Sequence, residues 1–464
     1  MMTRRELLAG VATAATLSAQ QTKQRPNIVV LFTDDQRFDT IRSWGNREVQ
    51  TPNMDRLAQN GCSFTHTFTQ GGPHGAICVP SRAMLMSGRS MFHVCRDILP
   101  AKAPQTFMPF PRVLGDAGYQ TFMSGKWHNG PEYFAKTWTQ NAENIFFGGM
   151  SDQFKVEVQD FDPAGKYGKA RSRVTKDTYI STLFTDSALK FLNTRDKSKP
   201  YLLYVPFTSP HDPRTAPKRF HDIYSASKLT LPPNFKPEHP FDNGDLKVRD
   251  EMLAGFPRKP EEVKQHLAEY YAMVTAVDHE IGRILDAIDM SNTYVFFAGD
   301  NGLAVGQHGL FGKQNLYDHS WRVPMIAMGP GIPKGKRVDS LVHIYDICPT
   351  IYDLTGVAPP PGIEMQSLKP FWAGKAKPRE FVFAGYRNLQ RAIRSDRWKL
   401  IEYNVNGKRT TQLFDLNTDP WELRDRSADV QQKSHLEQMR KMLRDEMKRL
   451  DDPADLDAPE WRTV

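Results

Sequence analysis

Cysteine is scarce in this chain: 464 residues carry four, Cys62, Cys78, Cys95 and Cys348. Their spacings outline no disulfide framework, so a small disulfide-stapled scaffold is excluded. Long apolar runs are lacking after the N-terminus, which leaves no segment suited to cross a bilayer as a helix. Repeats and low-complexity tracts are lacking too, which excludes a solenoid. Zinc-finger spacing and RNA-binding aromatic motifs are missing, so the net charge of +8 does not indicate nucleic acid. A basic balance of that size still favours polyanions, through a generally basic surface or a dedicated groove, and sulfated glycans fit either.

What is present is ample length for one large α/β domain and a smaller one. The first 20 residues read as a targeting segment. Thr3-Arg4-Arg5-Glu6-Leu7-Leu8 has the form of a twin-arginine signal, followed by a short apolar run from Ala9 to Leu17 and a cleavage site near Ala19. That predicts passage through the twin-arginine export machinery and a bacterial periplasmic location. No cysteine follows the run, so lipoprotein attachment is not expected.

Asn27 to Phe32 is a continuous apolar, β-branched run, the pattern of a strand buried on both faces, and it runs into Asp34-Asp35. The pattern recurs. Tyr119 to Met123 leads to Gly125-Lys126-Trp127-His128, Tyr201 to Val205 to Ser209-Pro210-His211, and Thr293 to Ala298 to Asp300-Asn301-Gly302. Ligands of open α/β sheets gather beyond the carboxyl ends of strands, so these polar groups stand where a site belongs. Apolar spacing predicts one long helix over Glu261–Ile288, and a shorter one opens at Pro52 with Thr51 as its cap. The fold class is therefore α/β, a large mixed, mostly parallel sheet between helices. Pro359-Pro360-Pro361-Gly362 punctuates the chain, giving a catalytic domain over 25–372 and a C-terminal subdomain over 375–464. In the latter, strand patterns flank the turn signal Asn406-Gly407 and a charged helix follows over Gln431–Leu450. The Ser225–Pro260 stretch, rich in Pro, Lys and Asp, reads as a surface excursion that shapes a substrate entrance.

The most informative motif is Cys78-Val79-Pro80-Ser81-Arg82. Pro80 suits the first position of a helix, which sets Cys78 just before it, with free N–H groups and the positive dipole end facing an anion there. Asp34, Asp35, Asp300 and Asn301 offer hard oxygen ligands suited to calcium or magnesium, and a soft thiolate fits poorly among them. Taken singly, each group has a plainer reading. Asp34-Asp35 can cap a helix, Asp300-Asn301-Gly302 makes a turn, a lone His128 or His211 is more often structural, and Lys126 or Lys313 is ordinarily solvated.

Together these motifs resemble the type I sulfatase family of the alkaline phosphatase superfamily, from about Pro26 to Glu422. The resemblance implies that Cys78 is oxidised to formylglycine by a formylglycine-generating enzyme, and that Asp34, Asp35, Asp300, Asn301 and modified Cys78 bind calcium. It reserves Cys78 from any disulfide, and none is expected to be essential. Arg82 matches the arginine that fixes the formylglycine. Lys126 and His128 match a sulfate-contacting lysine and a histidine bonded to the aldehyde hydrate, while His211 and Lys313 match a second pair at the ester oxygen. The implied chemistry is attack on sulfur by a hydrate hydroxyl, protonation of the leaving oxygen by His211, and release of sulfate driven by His128. The nearest alternative is a phosphonate monoester or phosphodiester hydrolase of the same superfamily; a degenerate polyanion-binding protein is the other. A sulfated carbohydrate is the expected substrate over aryl or choline sulfate, with His74, His308 and the 225–260 excursion as candidates for its recognition.

Overall fold

The computed structural model describes residues 25–98, 107–149 and 152–461. The export signal expected over 1–20 lies outside them. The principal elements, in chain order, are β1 (Asn27–Thr33), α1 (Pro52–Asn60), β2 (Cys62–Phe64), β3 (Gly71–Gly72), α2 (Cys78–Ser87), β4 (Gln120–Lys126) and β5 (Asn141–Phe146). Then come α3 (Ile180–Thr194), β6 (Tyr201–Pro206), α4 (Pro260–Ala287), β7 (Thr293–Gly299), β8 (Met325–Met328), β9 (Lys336–Val338) and α5 (Ile347–Thr355). The C-terminal part holds β10 (Val382–Tyr386), β11 (Gln390–Arg394), β12 (Trp398–Val405), β13 (Lys408–Asp415) and α6 (Lys433–Arg449).

Eight strands form the main sheet in the order β9-β2-β8-β7-β1-β6-β4-β5. β7, β1, β6, β4 and β5 run parallel, and β8 is antiparallel to its neighbours. The mixed, mostly parallel α/β class read from the sequence is the class observed. β1 shows why its sequence is apolar throughout: Ile28, Val30 and Phe32 pack into the core on the α2 and α5 side, and Val29 and Leu31 into the core with α3 and α4. Both faces are covered, so no position along the strand can be polar until it ends.

Two local expectations are corrected. α2 begins at Cys78 itself, and Pro80 is its third residue, because Val79 N already donates to Ala76 O and Ser81 N to Ile77 O. Pro80 remains free of cost there, since first-turn residues need no intrahelical donor. With those amides engaged, and Pro80 having none, Val79 and Ser81 do not present the free N–H groups expected beside Cys78. α1 does start at Pro52, but Thr51 does not cap it. The free amides of Asn53 and Met54 donate instead to the buried Asp278 of α4, at 3.1 and 2.7 Å.

The C-terminal sheet runs β13-β12-β11-β10-β3, so Gly71–Gly72 from the loop before Cys78 forms its edge. Asn406 and Gly407 both have positive φ, 52° and 78°, in the β12–β13 hairpin, as the Asn-Gly turn signal requires. The subdomain is thereby hydrogen-bonded to the segment that carries the central motif.

Candidate active site

The ends of β1, β4, β6 and β7 converge with the start of α2, and the ten residues named from sequence for catalysis and metal binding gather there, nine of them buried and His128 half-buried. Asp34 and Asp35 each anchor one half of the centre. On one side, Lys126 Nζ is in close contact with Asp34 Oδ2 and lies 4.0 Å from Cys78 Sγ, while His128 Nδ1 lies 3.1 Å from the same sulfur. On the other, Lys313 Nζ donates to both Asp35 oxygens at 2.7 and 2.9 Å, and His211 Nε2 stands 3.6 Å from Asp35 Oδ2.

Asp300 and Asn301 close the group. Asp300 Oδ1 accepts from Asp35 N at 3.1 Å, its Oδ2 from Arg82 Nη2 at 2.8 Å, and Asn301 Nδ2 donates to Asp35 Oδ1 at 2.5 Å. Arg82 also reaches Asp34 Oδ2 at 3.4 Å and donates to Lys126 O at 2.9 Å. Its bonds thus go to the acids and the β4 end, and it orders the centre through them. Asp35 and His128 hold left-handed backbone, φ 63° and 61°, a departure that non-glycine residues reserve mostly for sites that over-determine them. Gly149 allows the close approach beside them: a Cβ there would sit 2.8 Å from His128 Nε2.

The electrostatics follow from burial and paired charge. Burial works to raise Asp34, yet Lys126, His211, Arg82 and Lys313 together hold it well below the usual carboxylate range. Burial and the adjacent Asp34 push Asp300 up to about 7. Burial also pushes the Cys78 thiol up to about 11, so it is not poised as a thiolate. His128 is driven well below its ordinary value by burial and then by Lys126, which keeps its imidazole neutral.

The donor set fits a hard divalent cation. Asp34 contributes Oδ1 and Asn301 its Oδ1 as buried oxygens without a hydrogen-bond partner among the described residues, an expensive arrangement unless something positive takes them. Ligand atoms of Asp34, Cys78 and Asp300, and of Asp34, Asp35 and His211, lie mutually within 4.8 Å.

Other residues depart from expectation. His308 is corrected: its ring stacks on Tyr317 at 4.0 Å and its Nε2 meets Asn234 Nδ2 at 3.0 Å, so it is core packing rather than entrance. His74 accepts from Ala76 N at 3.1 Å, and its Nε2 is buried without a partner among the described residues. The 225–260 excursion brings in groups the sequence did not reveal. Arg249 clamps Asp212, whose carbonyl accepts from His211 Nδ1 at 2.7 Å, and Asp250 holds Gln314 at 2.8 Å. Asp212 was signalled only by adjacency to His211, and Arg249 by nothing.

A family model described as Sulfatase matches residues 26–357, and one described as N-sulphoglucosamine sulphohydrolase, C-terminal, matches 306–452. The chain belongs to the Sulfatase family. It is a sulfuric ester hydrolase. This sulfatase is 28% identical to an N-acetylglucosamine-6-O-sulfatase of Bacteroides thetaiotaomicron, over 89% of the chain and 84% of that protein. It is 26% identical to an arylsulfatase of Clostridium perfringens, over 90% and 94%. A solved structure in complex with its substrate D-glucosamine-2-N,6-O-disulfate shares the fold, with a TM-score of 0.78 at 24% identity over 92% of this chain and 99% of that one. The phosphonate monoester hydrolase of Agrobacterium radiobacter shares it too, with a TM-score of 0.73 at 20% identity over 95% and 100%.

Proposed function

We propose that this sulfatase hydrolyses sulfate monoesters of a saccharide, using calcium and a formylglycine made from Cys78. The observation that carries the reading is the convergence of four oxygen-bearing side chains, two of them with orphaned buried oxygens, around a neutral, buried cysteine flanked by Lys126 and His128. Asp34, Asp35, Asp300 and Asn301, with residue 78, would hold calcium, which when bound supplies positive charge against the sulfate oxygens and a hydroxyl at residue 78. In this reading Cys78 Sγ stands in for the oxygen of that hydroxyl.

The chain's own residues do the rest. Lys126 and Lys313 neutralise the remaining sulfate charge in a site screened from water. His211 carries its Nδ1 proton on the Asp212 carbonyl, which turns Nε2 toward the reacting centre to hand a proton to the departing ester oxygen. His128, neutral and 3.1 Å from the γ atom of residue 78, takes the proton that must leave before sulfate can go. A saccharide is favoured by the N-acetylglucosamine-6-O-sulfatase among the relatives and by the net charge of +8. Export to the periplasm, read from Arg4-Arg5 and the run after it, agrees with a substrate met outside the cytoplasm.

The test is sulfate release from a panel of defined mono- and disulfated saccharides, run beside aryl sulfate, choline sulfate and a phosphonate monoester. Saccharide desulfation with the highest kcat/KM is the expected result. Preferred turnover of the phosphonate monoester would overturn the reading, and preferred turnover of choline sulfate its saccharide part.

A further inference from the structure

The catalytic centre does not account for a second concave site. A cavity of about 500 Å³ lies between the 37–48 loop, the 230–233 segment and Trp421, within the size range of sites that hold small ligands. None of the ten catalytic and metal-binding residues lines it. Its inner wall is nevertheless tied to the centre, because Tyr270 Oη accepts from Arg37 N at 2.9 Å and donates to Asp35 O at 2.7 Å.

The lining is cationic and aromatic. Arg37, Arg47, Arg322 and Arg337 face the space against two acids, Asp39 and Glu48. Arg37 decides the chemistry. It is 1% exposed, and its Nε is satisfied by Asp39 at 2.8 Å, but its Nη1 is buried with no hydrogen-bond partner among the described residues. A buried guanidinium N–H left open costs stability unless an acceptor arrives. Arg322 adds a further cation: its guanidinium lies over the Phe38 ring at 4.2 Å, with Asp318 as its counter-charge at 3.7 Å. The half-buried indoles of Trp44 and Trp421 complete the walls. Flat apolar faces beside guanidinium donors match a sugar ring that carries anionic groups.

We propose that this cavity is a second, non-catalytic binding site for an acidic saccharide, recognised through Arg37, Arg47 and Arg322 and stacked on Trp44 and Trp421. It goes beyond the catalytic reading, since it predicts binding that needs no turnover.

The test uses the full chain with Cys78→Ala, so that nothing is turned over, and a heparin-derived tetrasaccharide as probe. Calorimetry and intrinsic tryptophan fluorescence report binding. The expected result is saturable binding with a fluorescence change, weakened about tenfold by Arg47→Glu or by Trp421→Ala, and weakened comparably when the tetrasaccharide is chemically desulfated. Arg47 is exposed, so its variant keeps the fold. In the Cys78 background both substitutions should leave turnover of a small aryl sulfate unchanged. No binding by the parent, equal binding by both variants, or equal binding of the desulfated probe would each overturn the proposal. Failure of the Cys78 protein to turn over any sulfate ester, with saccharide binding present and weakened by the two substitutions, would instead count against the catalytic reading alone.

Discussion

Arg249 grips both carboxylate oxygens of Asp212, Nη2 at 3.0 Å from Oδ1 and Nη1 closer still to Oδ2. Asp212 in turn brackets His211 Nδ1, with its carbonyl at 2.7 Å and its Oδ1 at 3.3 Å. Burial would raise the Asp212 carboxyl, but His211 and Arg249 keep it well below the usual range, so it stays charged. A residue of the surface excursion therefore sets the orientation of a histidine at the catalytic centre.

Arg249→Gln and Asp212→Ala should accordingly lower kcat on the order of 10- to 100-fold with little change in KM, since a displaced proton donor affects the chemical step. The loss should be greatest for esters with poor leaving groups, and Arg249→Lys should recover part of it. A fall in melting temperature with kcat unchanged would mean that the chain of contacts is only structural.

Cys78 should be formylglycine in active protein. Mass spectrometry of the peptide that carries it is expected to show a loss of about 18 Da relative to the thiol, sulfur exchanged for oxygen with two hydrogens removed. Burial already pushes the thiol up to about 11, which argues against a thiolate nucleophile. Full activity in a preparation whose residue 78 is entirely thiol would defeat the mechanism.

Calcium should be the best metal. Several protein oxygens converge at the centre, and magnesium more often keeps several waters than accepts an all-protein cage. Chelation should abolish activity, and readdition of calcium should restore it better than magnesium or zinc. Rescue by zinc and not by calcium would contradict the ligand chemistry.

The sequence showed most where burial leaves no freedom. β1, β6 and β7 are apolar along their length because helices cover both faces, so Asp34, Ser209 and Asp300 stood out at their ends. What stayed hidden was long-range or patternless. The two-residue strand Gly71–Gly72 has no periodicity to read, yet it edges the C-terminal sheet. His308 read as a recognition residue because nothing in the sequence signals that the Tyr317 ring, nine positions on, stacks on it. Asp278 reads as an ordinary polar position of a long helix, and its partner Asn53 is 225 residues away.

That contact yields a stability prediction. Asp278→Ala removes the acceptor for the first free amides of α1 and should cost about 0.5–2 kcal/mol, with activity at permissive temperature retained. Burial pushes the Asp278 carboxyl up to about 7, above its ordinary 3.8. A folded value above the unfolded one gives stability that is full below about pH 4 and lost as pH rises through about 7. The melting difference between wild type and variant should therefore be larger at pH 5 than at pH 8. A difference that grows with pH would reverse the assignment.

The two histidines should fail in different ways. His211 is placed to protonate the departing oxygen, so His211→Ala should slow sugar sulfates far more than an activated aryl sulfate, which leaves unaided. His128 faces residue 78 rather than Asp35, so His128→Ala should spare the first release and block the second. Rapid-quench measurements then give a burst of the desulfated alcohol, phenol from the aryl sulfate and free sugar from the sugar sulfate, equal to the enzyme concentration and followed by slow steady-state sulfate release. Loss of a general acid or base is typically worth 10²–10⁴ in rate, so the contrast is well within range. The same leaving-group dependence in both variants, with no burst in the His128 variant, would mean that the roles are assigned wrongly.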